Sequence, residues 1–382
     1  MQHKKSRQII DPLSILAHLN DHTNLSDKLQ TLLDFIRRRH TFMTRIAVAL
    51  YDESMDVIKT YIHATEGSNP LPHYQTCLAN SESLTQIKND RKPRVLNDMN
   101  PLSFINTEHS HRISEVGFKS SFTVPIYHGD HFIGFIFFNS SMLNVMEHQV
   151  LTDLMMIAHL ISMLIINELN FIATTKDVTR SVATLASYRD LETGQHLNRI
   201  SHFTRMIAHE LAKERELSDE YVEQLFIFSP LHDIGKIAVP DEILCKPGKL
   251  TDEENALMQT HTTRGHEFIV NLQKNLAMLS PQSCEVLQNI VCYHHECWDG
   301  SGYPEKLAGD AIPLEARIVA VVDVFDALTS KRVYKERWPV EKAMDYLSEK
   351  RGSQFDPDCV NKFLENRDEV ETILNKFQET YA

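Results

Sequence analysis

The chain of 382 residues, 42% hydrophobic and 24% charged, has the balance of a soluble globular protein with room for two domains and a sizeable core. A net charge of −13 excludes a general nucleic-acid binder, because phosphate backbones are held by clustered Lys and Arg; no DNA or RNA polymer is expected as a partner. Six cysteines with no CxxC pair exclude a dense disulfide framework and point to a reducing, cytoplasmic setting.

The start MQHKKSRQII carries positive charge but no following apolar stretch, so residues 1–19 read as an extension and not as a signal peptide. SDKLQTLLDFIRRR places Leu29, Leu32, Leu33 and Ile36 at helical spacing, with Ser26 as the expected cap. RIAVALYD, Arg45 to Asp52, reads as a strand, and SSFTVPIYHGDHFIGFIFFNSS reads as a hairpin turning at His128, Gly129 and Asp130. The most apolar run, Leu154 to Ile166, contains His159 and falls short of the roughly 20 residues of a membrane span, so no membrane partner is expected. An amphipathic helix, early strands, a long middle region, this hairpin and an exit helix resemble, in order, a GAF domain over residues 20–165. The resemblance is one of pattern. It implies an α+β sensor with an unidentified small ligand, or a dimerisation module.

From about Glu147 to residue 184 a helical pattern runs without Gly or Pro, overlapping the exit helix, and forms a connecting helix. Leu154, Ala158, Ile161, Ile165, Glu168 and Ile172 step by four and three, either as the seam of a homodimeric coiled coil or as the packed face of a helix within its own domain. Residues 185–382 show few strand alternations and read as all-α.

The chemistry lies in that second part. In ETGQH, Glu192 and His196 stand four apart and share a helix face. LHDIGK supplies His232, Asp233 and Lys236; HTTRGH supplies His261; and HHECWDGSGYP supplies His294 and His295 ahead of a loop containing Gly300, Gly302, Tyr303 and Pro304. In ARIVAVVDVFDALTSKRVYK, Asp323 and Asp326 lie off an apolar stripe, where ionised carboxylates need a partner or a metal. Adjacent helical residues diverge by about 100°, so His294 and His295 would face different ions of one cluster. His202, His209 and His266 read as ordinary solvated or hydrogen-bonded histidines, and Cys297 and Trp298 carry no role legible from sequence.

Taken together, ETGQH, HDIGKIAVPDEILCKPGKLTDEE, His261, HHECWDGSGYP and DVFDALTSKRVYK resemble the HD-GYP phosphodiesterases in order, spacing and identity, across residues 185–360. The resemblance implies an all-helical domain that holds two or three ions, iron or manganese, needs no organic cofactor, and opens a cyclic dinucleotide. It implies Glu192, His196, His232, Asp233, His261, His294, His295 and Asp323 as metal ligands, with Glu192 marking the three-ion subset. Asp233 and Lys236 would be catalytic, orienting a metal-bridging hydroxide and neutralising phosphate charge. Lys236, Gly302, Tyr303, Asp326, Arg332 and Lys335 would meet substrate. Two alternatives remain at this stage: an HD hydrolase of another nucleotide, against which the GYP loop argues, and a non-catalytic cyclic-dinucleotide receptor, which a missing ligand would favour.

Overall fold

The computed structural model describes residues 19, 23–67, 69, 71–99, 117–185, 194–276, 280–330 and 337–378, without the side chains of 172, 175–185 and 275–276. The chain divides into two compact units, Met1–Ile166 and Asn167–Ala382.

In the first unit, α1 (Leu25–Arg39) buries Leu29, Leu32, Leu33 and Ile36, the stripe its spacing predicts. Its cap is Asn24 and not Ser26: the Asn24 side chain accepts the Asp27 amide at 2.7 Å, and Ser26 already lies in the first turn. Strands β1 (Met43–Asp52), β2 (Val57–Thr65) and β3 (Gln75–Cys77) precede α2 (Glu82–Asp90). Then come β4 (Arg94–Leu96), β5 (Ser120–His128) and β6 (His131–Ser140). The sheet order is β3-β2-β1-β6-β5-β4, and the strand pairs are antiparallel. The expected hairpin closes at His128↔His131, with Gly129 taking the φ of 61° that its turn requires. Leu84 and Ile87 of α2 join Ala49, Ile58 and Phe135 in one apolar cluster. This is an α+β unit, with the helix, early strands, hairpin and exit helix in the expected order.

Helix α3 (His148–Leu185) follows. The first four residues of its four-three seam are not a free surface: Leu154, Ala158, Ile161 and Ile165 are at most 1% exposed within a single chain, while Met156 and Met163 on the other side are 58% and 61% exposed; Glu168 is half-buried and the Ile172 side chain lies outside the described residues. Packing within the chain therefore accounts for the seam, because a face already buried cannot zip to a second copy. By length and composition His148–Phe171 is apolar enough to cross a membrane, a longer stretch than the run first singled out, and that composition serves a helix with one face in a protein core.

The second unit is built from α4 (Gly194–Arg215), α5 (Asp219–Phe228), α6 (Asp241–Leu244), α7 (Asp252–Leu276) and α8 (Pro281–Tyr293). They are followed by α9 (Leu314–Thr329), α10 (Val340–Glu349), α11 (Pro357–Glu365) and α12 (Arg367–Lys376). Phe203 of α4, Phe325 of α9 and Phe363 of α11 meet with ring centroids 5.5, 5.6 and 4.6 Å apart, pinning three helices together. None of the six cysteines is in a disulfide among the described residues.

A charge placed in the seam tests its role. Ile161→Glu is expected to cost at least ~3 kcal/mol, because it buries an unpaired carboxylate, whereas Met163→Glu should change stability by under about 0.5 kcal/mol. Urea unfolding measures both; an Ile161→Glu protein with the wild-type midpoint and half the mass by light scattering would return the seam to an intermolecular role.

Candidate metal centre

Each ligand-type side chain is delivered by a different local device. His196 sits in the first turn of α4, and His232 caps a 3-10 turn, Ser229–Leu231, that follows α5. Asp233 opens a second 3-10 turn, Ile234–Ala238, which contains Lys236. His261 lies within α7, Asp323 within α9, and His294 is the C-cap of α8, with His295 next in the turn beyond. The close approach of the Asp233 turn to α7 depends on glycine. A Cβ on Gly235 would stand 1.8 Å from the His261 carbonyl oxygen and 2.6 Å from the Gly265 amide. This backbone contact sets Asp233 beside His261.

Among the described residues the donors form two groups, each with ligand atoms within 4.8 Å of one another: Asp233, His261, His294 and His295 in one, and His196, His232 and Asp323 in the other. Asp233 spans both. Its Oδ1 lies 3.1 Å from His261 Nε2 and 3.7 Å from His294 Nε2, while its Oδ2 lies 3.2 Å from His232 Nε2. His232 Nε2 is also 3.8 Å from Asp323 Oδ1. His294 and His295 both fall in the group around Asp233, with rings 4.1 Å apart.

The inner histidines are fixed at Nδ1. His232 donates to the Ser229 carbonyl at 2.9 Å, His261 to Met258 at 2.8 Å and His294 to Ile290 at 2.9 Å. A carbonyl oxygen only accepts, so the ring proton is on Nδ1 and Nε2 is turned toward the carboxylates. Burial pushes the pKa of His294 below its ordinary value and that of His295 well below, which keeps His294 Nε2 as a bare lone pair. That lone pair and Asp233 Oδ1 are both buried, and neither has a hydrogen-bond partner among the described residues. Two acceptors facing each other in a dry site require a cation between them, so the donor set fits a metal. Burial alone would raise the pKa of Asp233; Lys236, at 2.5 Å, and His232 instead hold it well below the usual carboxylate range.

His196 is held differently. Its Nδ1 is 2.7 Å from Asp326 Oδ2, and Asp326 is fully buried. Arg199 donates to Asp326 through Nε at 2.5 Å and Nη2 at 2.9 Å, and Ser330 Oγ donates at 3.1 Å. Burial would raise the Asp326 pKa, but these bonds hold it at about 2. Asp326 was expected to meet substrate; it is instead a saturated carboxylate that orients His196, because one helical turn carries it from the Asp323 side into the α4–α9 contact. Arg199, three residues after His196, escaped the sequence reading, although HLNR puts it near the same helix face.

The GYP loop is also internally committed. A Cβ on Gly302 would lie 2.3 Å from the Cys297 amide nitrogen, so Gly302 is buried against its own loop and not turned to a ligand, as had been expected. Glu296, 3% exposed, accepts the Glu305 and Leu307 amides at 2.7 and 3.1 Å and clamps the loop's far limb. Trp298, which had no legible role, donates its amide to Gln354 and lies 5.6 Å from the Arg317 guanidinium, anchoring the loop. Tyr303 is brought to the centre, its ring 4.9 Å from His295, and burial followed by the Asp233 and Asp323 charges raises its pKa, so the phenol stays protonated. Glu192, Arg332 and Lys335 lie outside the described residues.

Residues 180–359 match the family described as HD domain. Over 207 residues, the chain is 43% identical to the cyclic di-GMP phosphodiesterase response regulator RpfG of Xanthomonas campestris pv. campestris, covering 54% of this chain and 52% of that protein. It is 41% identical over 200 residues to the 3'3'-cGAMP-specific phosphodiesterase 2 of Vibrio cholerae, covering 52% and 36%. Among solved structures, the phycocyanobilin-bound GAF domain from a cyanobacterial phytochrome is 16% identical, covering 40% of this chain and 90% of that one, with a TM-score of 0.32. The chain spans about half the length of the curated relatives it matches. The matched residues lie in the second unit.

Two substitutions separate support from ligation. Asp326→Asn leaves the Arg199 charge buried without its counterion and should cost about 3–5 kcal/mol, with about 10–100-fold weaker metal binding at His196. Gly235→Ala should lower metal content at least ~10-fold, since the Asp233 turn must move off α7. Metal analysis beside thermal unfolding checks both; full metal occupancy in either variant contradicts the assigned role.

Proposed function

We propose that the protein is a metal-dependent phosphodiesterase that opens a cyclic dinucleotide, either cyclic di-GMP or 3'3'-cGAMP, in the cytoplasm. The observation that carries this reading is Asp233, whose two oxygens face separate donor groups, with a lysine alongside. Bound divalent ions, for which His and carboxylate donors suit iron or manganese, would supply Lewis acidity and a water of lowered pKa. Asp233 would hold the two groups in register, and His196, His232, His261, His294, His295 and Asp323 would complete the set. Glu192 would extend it to a third ion.

The more open members of the centre set where substrate enters. Lys236 and Asp323 have side chains 27% and 16% exposed, whereas His232 and His294 are at 0%. Lys236 would meet a phosphate oxygen as charge builds there, and the protonated Tyr303 phenol would donate to a second oxygen or a base edge. Arg332 and Lys335 would add phosphate contacts. The GAF-like unit would regulate turnover. A homodimer, if it forms through α3, would use the outward Met156 and Met163 face and not the buried seam.

Protein produced in iron- or manganese-rich medium and offered cyclic di-GMP, 3'3'-cGAMP and cyclic di-AMP, with products separated by chromatography, tests the reading. Hydrolysis of at least one, abolished by a chelator, is expected. Protein with two or more ions bound but no turnover of any would favour the receptor alternative. Lys236→Ala should lower kcat by about 10²-fold with unchanged metal content, whereas Asp233→Ala should empty both donor groups; equal metal loss in the two would make Lys236 structural.

A further inference from the structure

The residues that match the HD domain end at 359, and α12 (Arg367–Lys376) lies beyond them. Its end is nevertheless joined to the support of a metal-type ligand. HLNRISH spaces His196, Arg199 and His202 three apart on α4, which keeps them on one helix face. Helix α12 contacts α4, buries Val370 and Ile373, and ends at Phe377, which meets the second and third of those residues. The Phe377 ring stacks on His202 with centroids 4.7 Å apart and planes 19° apart, and Phe226 of α5 meets the same imidazole edge-on at 5.1 Å. The Phe377 carbonyl accepts a hydrogen bond from Arg199 Nη1 at 2.8 Å. The last carbonyls of a helix have no partner within it and carry partial negative charge, so a guanidinium is the donor they favour.

This bond matters because of what Arg199 does with its other nitrogens. Nε and Nη2 grip the two oxygens of Asp326, and Nη2 also reaches Ser330 Oγ at 2.7 Å. A guanidinium is planar and rigid, so fixing Nη1 fixes the plane in which Nε and Nη2 meet the carboxylate. Asp326 in turn sits 2.7 Å from His196 Nδ1 and aims the opposite ring nitrogen at the donor group. Arg199, Asp326 and His196 are 2%, 0% and 6% exposed, so the chain of contacts from the end of α12 to the ligand runs through buried side chains.

We propose that the Phe377 carbonyl, delivered by α12, is a positioning group for the metal centre: it locks the Arg199 guanidinium onto Asp326 and so sets His196 in the group with His232 and Asp323. The inference rests on the reading of these donors as metal ligands and is independent of which nucleotide is cleaved.

A proline at 378 tests the carbonyl alone. It favours ψ of roughly 120–160° in the residue before it, against 47° at Phe377, and so turns that carbonyl away while every side chain between α12 and His196 stays in place. Manganese titration of the full chain, read by electron paramagnetic resonance of the free ion, should show one ion held about 3–10-fold more weakly in Gln378→Pro, with the rest unchanged. That is less than the roughly 10–100-fold that loss of a direct partner of a ligand costs. Gln378→Ala, which removes only an exposed side chain, should titrate as wild type. In an Arg199→Lys background, where the fork is already lost, Gln378→Pro should add less than about 2-fold, because both changes break the same chain of contacts. Phe377→Ala keeps the carbonyl but loses the stack on His202, and should weaken the same ion by a smaller factor. Wild-type affinity in Gln378→Pro, equal weakening in Gln378→Ala, or full additivity with Arg199→Lys would each overturn the inference; should the proline variant not fold, wild-type affinity in Phe377→Ala overturns it. A wild type that binds no manganese would overturn the metal reading and this support with it.

Discussion

A buried carboxylate stays ionised only where positive charge or donors surround it, and the second unit is organised around satisfying that condition at Asp233. The α7 helix approaches at glycine distance, Lys236 returns one 3-10 turn later to pair with the acid, and histidines arrive from separate elements with their Nδ1 protons already spent on carbonyl oxygens. What remains is inward-facing lone pairs and one anion. Such an arrangement is costly when empty, and a cation relieves it.

Around this centre the supports repeat the same economy. Asp326 orients His196 and is itself held by Arg199 and Ser330, while Glu296 holds the GYP loop by its amides and so keeps Tyr303 over His295. None of these supports needs to touch a ligand to matter, because each fixes the direction of a group that would.

Much of this was legible early. The apolar spacing of Leu29, Leu32, Leu33 and Ile36 fixed α1, the turn at Gly129 fixed the hairpin, and HDIGK and HHECWDGSGYP held His232, Asp233, His294 and His295, which the fold brings close together. Errors arose where one dimension had to stand for three. The four-three seam of α3 has the same period whether it faces a second chain or the chain's own core, and only burial of Ile161 and Ile165 separates the two.

By itself, then, the sequence determined the element types, the two-unit order and the donor chemistry, because periodicity, turn residues and ligand-type side chains are local properties. Only the tertiary structure decided which donors share a group, that Asp326 and Gly302 face inward, and that Arg199 and Glu296 support the residues around the centre. Those facts depend on contacts between residues far apart in the chain, and no local pattern encodes which neighbour a side chain will meet.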